Sequence, residues 1–79
     1  MTSDDLLARL LDLAARRFGR RREELHADQD FFDALGIDSY RALELLTELE
    51  HAFGVEVPDW ELEGVRTFGA LAEVLRRRL

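Results

Sequence analysis

Between Gly36 and Gly54, apolar residues fall at Ala42, Leu45, Leu46, Leu49 and Phe53. That is the spacing of one face of an α-helix. A stripe this regular must lie against other stripes, and a chain of 79 residues has little else to offer it. Two more are present. Leu6, Leu10, Leu13 and Ala14 make one, with Leu7 and Phe18 on its flank, and Phe68, Leu71, Ala72, Leu75 and Leu79 make the other. Three amphipathic helices around one core make the chain all-α, a single domain spanning residues 1–79.

Local signals set the helix ends. Ser3 is a candidate N-cap, Asp4 and Asp5 suit the positive end of a helix dipole, and Arg16-Arg17 suit its negative end before Gly19. The first helix is expected over about residues 4–18. The segment 20–37 is long for a structureless loop. Its apolar residues Leu25, Phe31, Phe32, Leu35 and Ile37 predict a strap across the core, with a helical turn near Phe31–Leu35 capped by Asp30 and ended by Gly36. The central helix is expected from Ser39 to about Phe53, with Asp38 or Ser39 at its cap. Val55–Pro58 reads as an extended link, Trp60–Glu63 as one helical turn, and Thr67 as the cap of the last helix. Arg76-Arg77-Arg78 complement that helix's C-terminal dipole.

Charge and cysteine content narrow the function. The net charge is −6, and it is unevenly spread. From Asp28 to Glu63 there are eleven acids and one base, Arg41, whereas the flanks hold six acids and ten arginines. An acidic centre argues against nucleic acid and for protein partners that carry a basic patch. There is no cysteine, so neither a disulfide nor a thiolate-metal site supports the core. No stretch has the length and apolarity of a membrane span, and the acidic start lacks the basic region of a secretory signal. A cytoplasmic, monomeric protein is the expectation.

Three kinds of chemistry can be weighed against the residues present. A serine nucleophile needs a base within reach. His51 lies twelve residues beyond Ser39, roughly 18 Å along a helix, and nothing in the neighbours of His26 directs it to Ser39. An enzyme is not expected. Asp28, Asp30 and Asp33 cluster, but a calcium loop would need an oxygen ligand where Phe32 stands, so no metal site is expected. Ser39 is a hydroxyl at a helix start, where free N–H groups and the dipole suit an attached phosphoester, although a serine so placed is more often only an N-cap. On the same helix Tyr40, Leu43 and Thr47 fall on one flank, away from the core stripe. Glu44, Glu48 and His51 lie further round, toward solvent.

The run Asp30-Phe31-Phe32-Asp33-Ala34-Leu35-Gly36-Ile37-Asp38-Ser39-Tyr40, followed by Arg41-Ala42-Leu43-Glu44-Leu45-Leu46, closely resembles the acyl carrier proteins. The resemblance continues through Leu49-Glu50-His51-Ala52-Phe53-Gly54-Val55-Glu56-Val57-Pro58 and ends on Val65-Arg66-Thr67-Phe68-Gly69-Ala70-Leu71. It implies a four-helix bundle with a long first loop and a short third helix. It also implies 4′-phosphopantetheine on Ser39, with Asp38 beside it, placed there by a phosphopantetheinyl transferase from coenzyme A. The arm's thiol would hold acyl groups as thioesters and so supply the sulfur that the chain lacks. The partner face carried over from the family is Tyr40, Arg41, Leu43, Glu44, Thr47 and Glu48. Its occupants would be an acyl- or aminoacyl-loading enzyme and a downstream synthase or transferase.

Two positions depart from the family's usual pattern. Tyr40 stands where an aliphatic residue is more common, and Arg41 where an acidic or polar one is. An arginine inside the acidic patch points to a dedicated partner and a specialised pathway, of polyketide or related type. An aminoacyl or peptidyl carrier is the alternative reading. An unmodified acidic adaptor that docks through Tyr40 and Leu43 is the competing class.

Overall fold

A computed structural model describes residues 3–79. Met1 and Thr2 lie outside the described residues, as does the side chain of Ser3, so the expected Ser3 cap falls outside them too. Four α-helices follow in order: α1 (Ser3–Phe18), α2 (Phe31–Leu35), α3 (Ser39–Phe53) and α4 (Phe68–Arg78). Two 3-10 turns, Arg22–Glu24 and Asp59–Leu62, punctuate the connections. The short third helix of the sequence reading is the second of these turns, one residue earlier than expected. Among the described residues no β-strand forms.

The core is built where the stripes meet. Leu6, Leu10, Leu11, Ala14 and Ala15 of α1 are buried, with Leu45, Leu46 and Leu49 of α3 and Phe68, Leu71, Ala72, Val74 and Leu75 of α4. The expected α1 stripe was too narrow. Leu11 and Ala15 are buried and Leu13 only partly, because α1 packs on both α3 and α4 and so buries a wider arc. Ala42 and Phe53 are likewise only partly buried. The Phe53 ring is covered instead by the Arg9 guanidinium, 4.7 Å from its centroid. Leu79 was expected in the α4 stripe, but the helix ends at Arg78 and Leu79 is exposed.

The long first connection is the strap the sequence implied. Leu25 is fully buried, and the Gln29 side chain stitches the loop, accepting from the His26 N–H and donating to the Glu24 carbonyl. The strap is tied to the start of α4 by backbone hydrogen bonds. The Phe31 N–H donates to the Arg66 carbonyl at 2.8 Å, the Phe68 N–H to Gln29 at 3.3 Å and the Gly69 N–H to Ala27 at 2.8 Å. Gly69 makes this approach possible, since a Cβ there would sit 3.1 Å from the Ala27 carbonyl oxygen. The link Val55–Pro58 is extended as expected, with Val57 buried and its N–H bonded to the Glu50 carboxylate at 2.7 Å.

Asp30 joins these parts. Its carboxylate accepts from the Phe32 and Asp33 N–H groups, capping α2, and pairs with Arg66 at 2.8 Å. Arg66 in turn lies over the Phe32 ring, 4.9 Å from its centroid. Asp30 is therefore a structural cap. Among the described residues no three histidine or acidic groups gather to hold a metal ion.

Partial burial pushes the Asp30 carboxyl up, but the hydrogen bonds from Arg66, Asp33 and Phe32 outweigh it and hold the group below the ordinary aspartate range. Its stabilising share is thus present above the unfolded-state pKa and lost as pH falls through the folded-state value. Asp30→Asn keeps a capping oxygen but cannot titrate. Between about pH 4 and pH 2 its thermal midpoint is expected to fall less steeply than that of the native chain. Parallel slopes in a melting series across that range would refute this.

Candidate functional site

The site begins at a turn. Helix α2 stops at Gly36, whose backbone is left-handed at φ 64°, a conformation that costs other L-residues about 1–2 kcal/mol. The Ile37 N–H then donates back to the Phe32 carbonyl at 3.0 Å. Arg20, just beyond α1, donates to the Leu35 carbonyl at 3.1 Å and lies 3.3 Å from where a Gly36 Cβ would stand. The α1 tail thereby fixes the turn that leads into α3. Nothing in the sequence pattern singled out Arg20, because its partner is a backbone atom fifteen residues away.

The sequence left Asp38 and Ser39 as alternative caps of α3. The structure assigns the cap to Asp38, whose carboxylate accepts from the Arg41 N–H at 3.0 Å and whose carbonyl accepts from Ala42. Ser39 is the first helical residue and is exposed. Capping therefore does not occupy its hydroxyl. Of the first-turn N–H groups that any helix leaves without intrahelical partners, that of Arg41 is taken by the Asp38 cap.

Beside Ser39 lies an apolar cavity of about 210 Å³, open to solvent on one side. Phe31, Phe32, Leu46, Leu62, Val65 and Leu71 are among its walls, and Ser39 lies at its rim. The sequence reading left it open whether the phenylalanines fill such a space. Phe31 and Phe32 wall it without filling it, and Phe53 is not among the lining residues.

The expected partner face is partly as drawn. Tyr40 is 69% exposed and Leu43 is 54% exposed, an apolar ridge next to Ser39. Thr47 joins it with its hydroxyl already donated to the Leu43 carbonyl at 3.0 Å, which leaves its methyl group to extend the ridge. Glu44 and Glu48 differ from expectation. Both are half-buried and lean onto α1, where Arg17 pairs with Glu48 at 2.7 Å and with Glu44 at 3.4 Å. Arg41 approaches Glu44 at 3.7 Å. Helical spacing alone suggests only a dipole role for Arg17, because the partner of a long side chain depends on how two helices cross. His26 and His51 are both exposed.

The family model for the phosphopantetheine attachment site matches residues 8–75. The chain belongs to the acyl carrier protein family. It is 32% identical to the acyl carrier protein of Lactobacillus johnsonii over 76 residues, covering 96% of this chain and 95% of that one. It is 34% identical to that of Chloroherpeton thalassium over 65 residues, 82% and 81% of the two chains. Among solved structures, the acyl carrier protein from Enterococcus faecalis superimposes with a TM-score of 0.79 at 25% identity, each chain covered in full.

An acyl carrier protein is a carrier and not an enzyme, and its prosthetic group is 4′-phosphopantetheine. Its partners are a phosphopantetheinyl transferase and enzymes that handle acyl groups. The residues present suit that group: an exposed hydroxyl on a helix first turn, a capping carboxylate that leaves it free, and an apolar cavity at its side. When bound, the group supplies a thiol that holds acyl chains as thioesters. Among the described residues no helix is long and apolar enough to cross a membrane.

Proposed function

We propose that Ser39 carries the 4′-phosphopantetheine, and that the chain delivers acyl thioesters to partner enzymes in a specialised pathway of polyketide or related type. The observation that carries the attachment reading is the position of Ser39, with its hydroxyl exposed on the first turn of α3 at the rim of the apolar cavity. In the attachment, the Ser39 oxygen bonds to the phosphorus of the pantetheine phosphate. The pyrophosphate link of coenzyme A breaks, the adenosine bisphosphate leaves, and the hydroxyl proton passes to solvent.

The cavity supports an acyl cargo over an aminoacyl or peptidyl one. Its lining is almost wholly apolar, and a buried amine or amide there would lack hydrogen-bond partners. A dry apolar cavity of about 150 Å³ is enough to admit benzene, so a short acyl chain fits. Coverage of the whole length of the Exiguobacterium sibiricum acyl carrier protein, at 28% identity, supports reading residues 1–79 as one carrier domain. The specialised pathway rests on Tyr40 and Arg41, where the chain leaves the family's usual pattern.

Incubation with coenzyme A and a promiscuous phosphopantetheinyl transferase, followed by intact-mass measurement, is expected to add one phosphopantetheine. Peptide mapping places it on Ser39. An unchanged mass, or a gain mapped elsewhere, overturns the attachment reading.

A further inference from the structure

The Asp30 carboxylate divides its two oxygens between two tasks on one wall of the cavity. Oδ1 accepts from the Phe32 N–H at 2.8 Å and so starts α2. Oδ2 accepts from Arg66 Nε, at the same distance, across 36 positions of sequence. The guanidinium so held lies over the Phe32 ring, 4.9 Å from its centroid, where a cation is drawn to the negative face of the ring. Phe32 is thus fixed twice by one carboxylate: its backbone through the cap, its ring through Arg66.

Phe32 lines the cavity, whereas Arg66 is not among the lining residues. Phe31, its neighbour on the same wall, is buried, and its N–H is bonded to the Arg66 carbonyl. That part of the wall is anchored by the backbone. Phe32 is only partly buried, and a side-chain contact from outside keeps its ring in place. Released from that contact, the ring can turn to another rotamer toward solvent. Such a turn widens the cavity without breaking a backbone hydrogen bond of the strap.

We infer that Arg66 is a specificity-determining residue for cargo length: held by Asp30, it latches Phe32 in the cavity wall and so limits how long an acyl chain the cavity takes. The inference rests on the proposed acyl cargo on Ser39. Scaled from a dry cavity of about 150 Å³ that admits benzene, about 210 Å³ takes a straight chain of about eight carbons. Carbons beyond that length stay in water or have to move a wall.

The promiscuous transferase, given straight-chain acyl-coenzyme A of about four to twelve carbons, loads acylated arms with the thioester passing through unchanged. The native chain, Arg66→Gln and Asp30→Asn are each loaded, and each thermal midpoint is compared with that of the same chain carrying the unacylated arm. A guest that enters the folded state stabilises it. In the native chain the gain is expected to grow with length and to level off near eight carbons. In Arg66→Gln it is expected to keep growing for roughly two carbons more. A purely structural role for Arg66 would lower every midpoint alike and leave that limit in place. Asp30→Asn keeps a capping oxygen and loses the ionic hold on Arg66, so it decides the matter in the same way if Arg66→Gln does not fold. A limit in the variant equal to or shorter than the native one overturns the latch and leaves the acyl reading standing. If no chain length raises the native midpoint, the cavity takes no acyl chain, and the acyl reading falls together with the latch.

Discussion

Ser39→Ala is expected to abolish loading of the phosphopantetheine arm while leaving the fold intact. The two effects separate because the structure gives the cap to Asp38 and not to Ser39, the proposed attachment point. Asp38 supplies the capping oxygen to the Arg41 N–H, and Ser39 contributes an exposed hydroxyl that the cap does not use. Alanine is a good helix former at this position, so stability should move by no more than about 0.5 kcal/mol, as for most surface substitutions. Loading should fall below detection by intact mass, since among the described residues no other serine or threonine lines the cavity. Asp38→Ala is the complementary variant. It keeps the hydroxyl but loses the cap, at a cost of about 1 kcal/mol. Urea titration and mass measurement on the pair tell the roles apart. Residual loading of Ser39→Ala, or a large loss of its stability, would show that the assignment of roles is wrong.

Phe68→Ala is expected to be the most destabilising single change in the described chain. The ring is fully buried at the start of α4 and lies 6.0 Å from that of Phe31, under the strap. Truncating a buried phenylalanine to alanine costs about 3–5 kcal/mol, because the lost transfer energy is joined by that of the cavity left behind. Small domains have about 0.05–0.15 kcal/mol per residue in hand, so this one change consumes much of the reserve. The urea midpoint should fall sharply, with a substantial unfolded population in buffer. Phe53→Ala is the control: its ring is only partly buried and shielded by Arg9, so it should cost markedly less. Equal losses at the two positions would mean that the core is not centred where the burial pattern puts it.

Features with a local cause could be read from the sequence. The Gly36 stop, the Asp30 and Thr67 caps, and the limits of α3 each depend on a few adjacent residues and a helical period. All four are present in the structure. The strap was legible because its apolar residues had to be buried somewhere. Features that depend on how helices cross were not legible. Leu11 and Ala15 are core because α1 has two neighbours, which a single-stripe reading cannot anticipate. The cavity exists between elements from four parts of the chain. The pairing of Glu44 and Glu48 is the clearest case. A helical wheel gives their angle about α3, but not the reach of Arg17 across the gap between helices.

The bonds that close the strap also decide how the cavity can yield. Phe31 and Phe32 form one wall, and they are tied to the chain beside Val65 by the Phe31–Arg66 backbone bond and the Asp30–Arg66 pair. Leu62, on another wall, belongs to a single 3-10 turn. Side chains hold that turn through Arg78, which pairs with Glu61 at 2.7 Å and lies over the Trp60 ring, 5.9 Å from its centroid. A longer cargo therefore meets one stiff jamb and one compliant one. If an acyl chain enters the cavity as proposed, a longer one is expected to make room by displacing the turn at residues 59–62, which carries the exposed Trp60, so the length of the guest would be written on the outer surface at that corner.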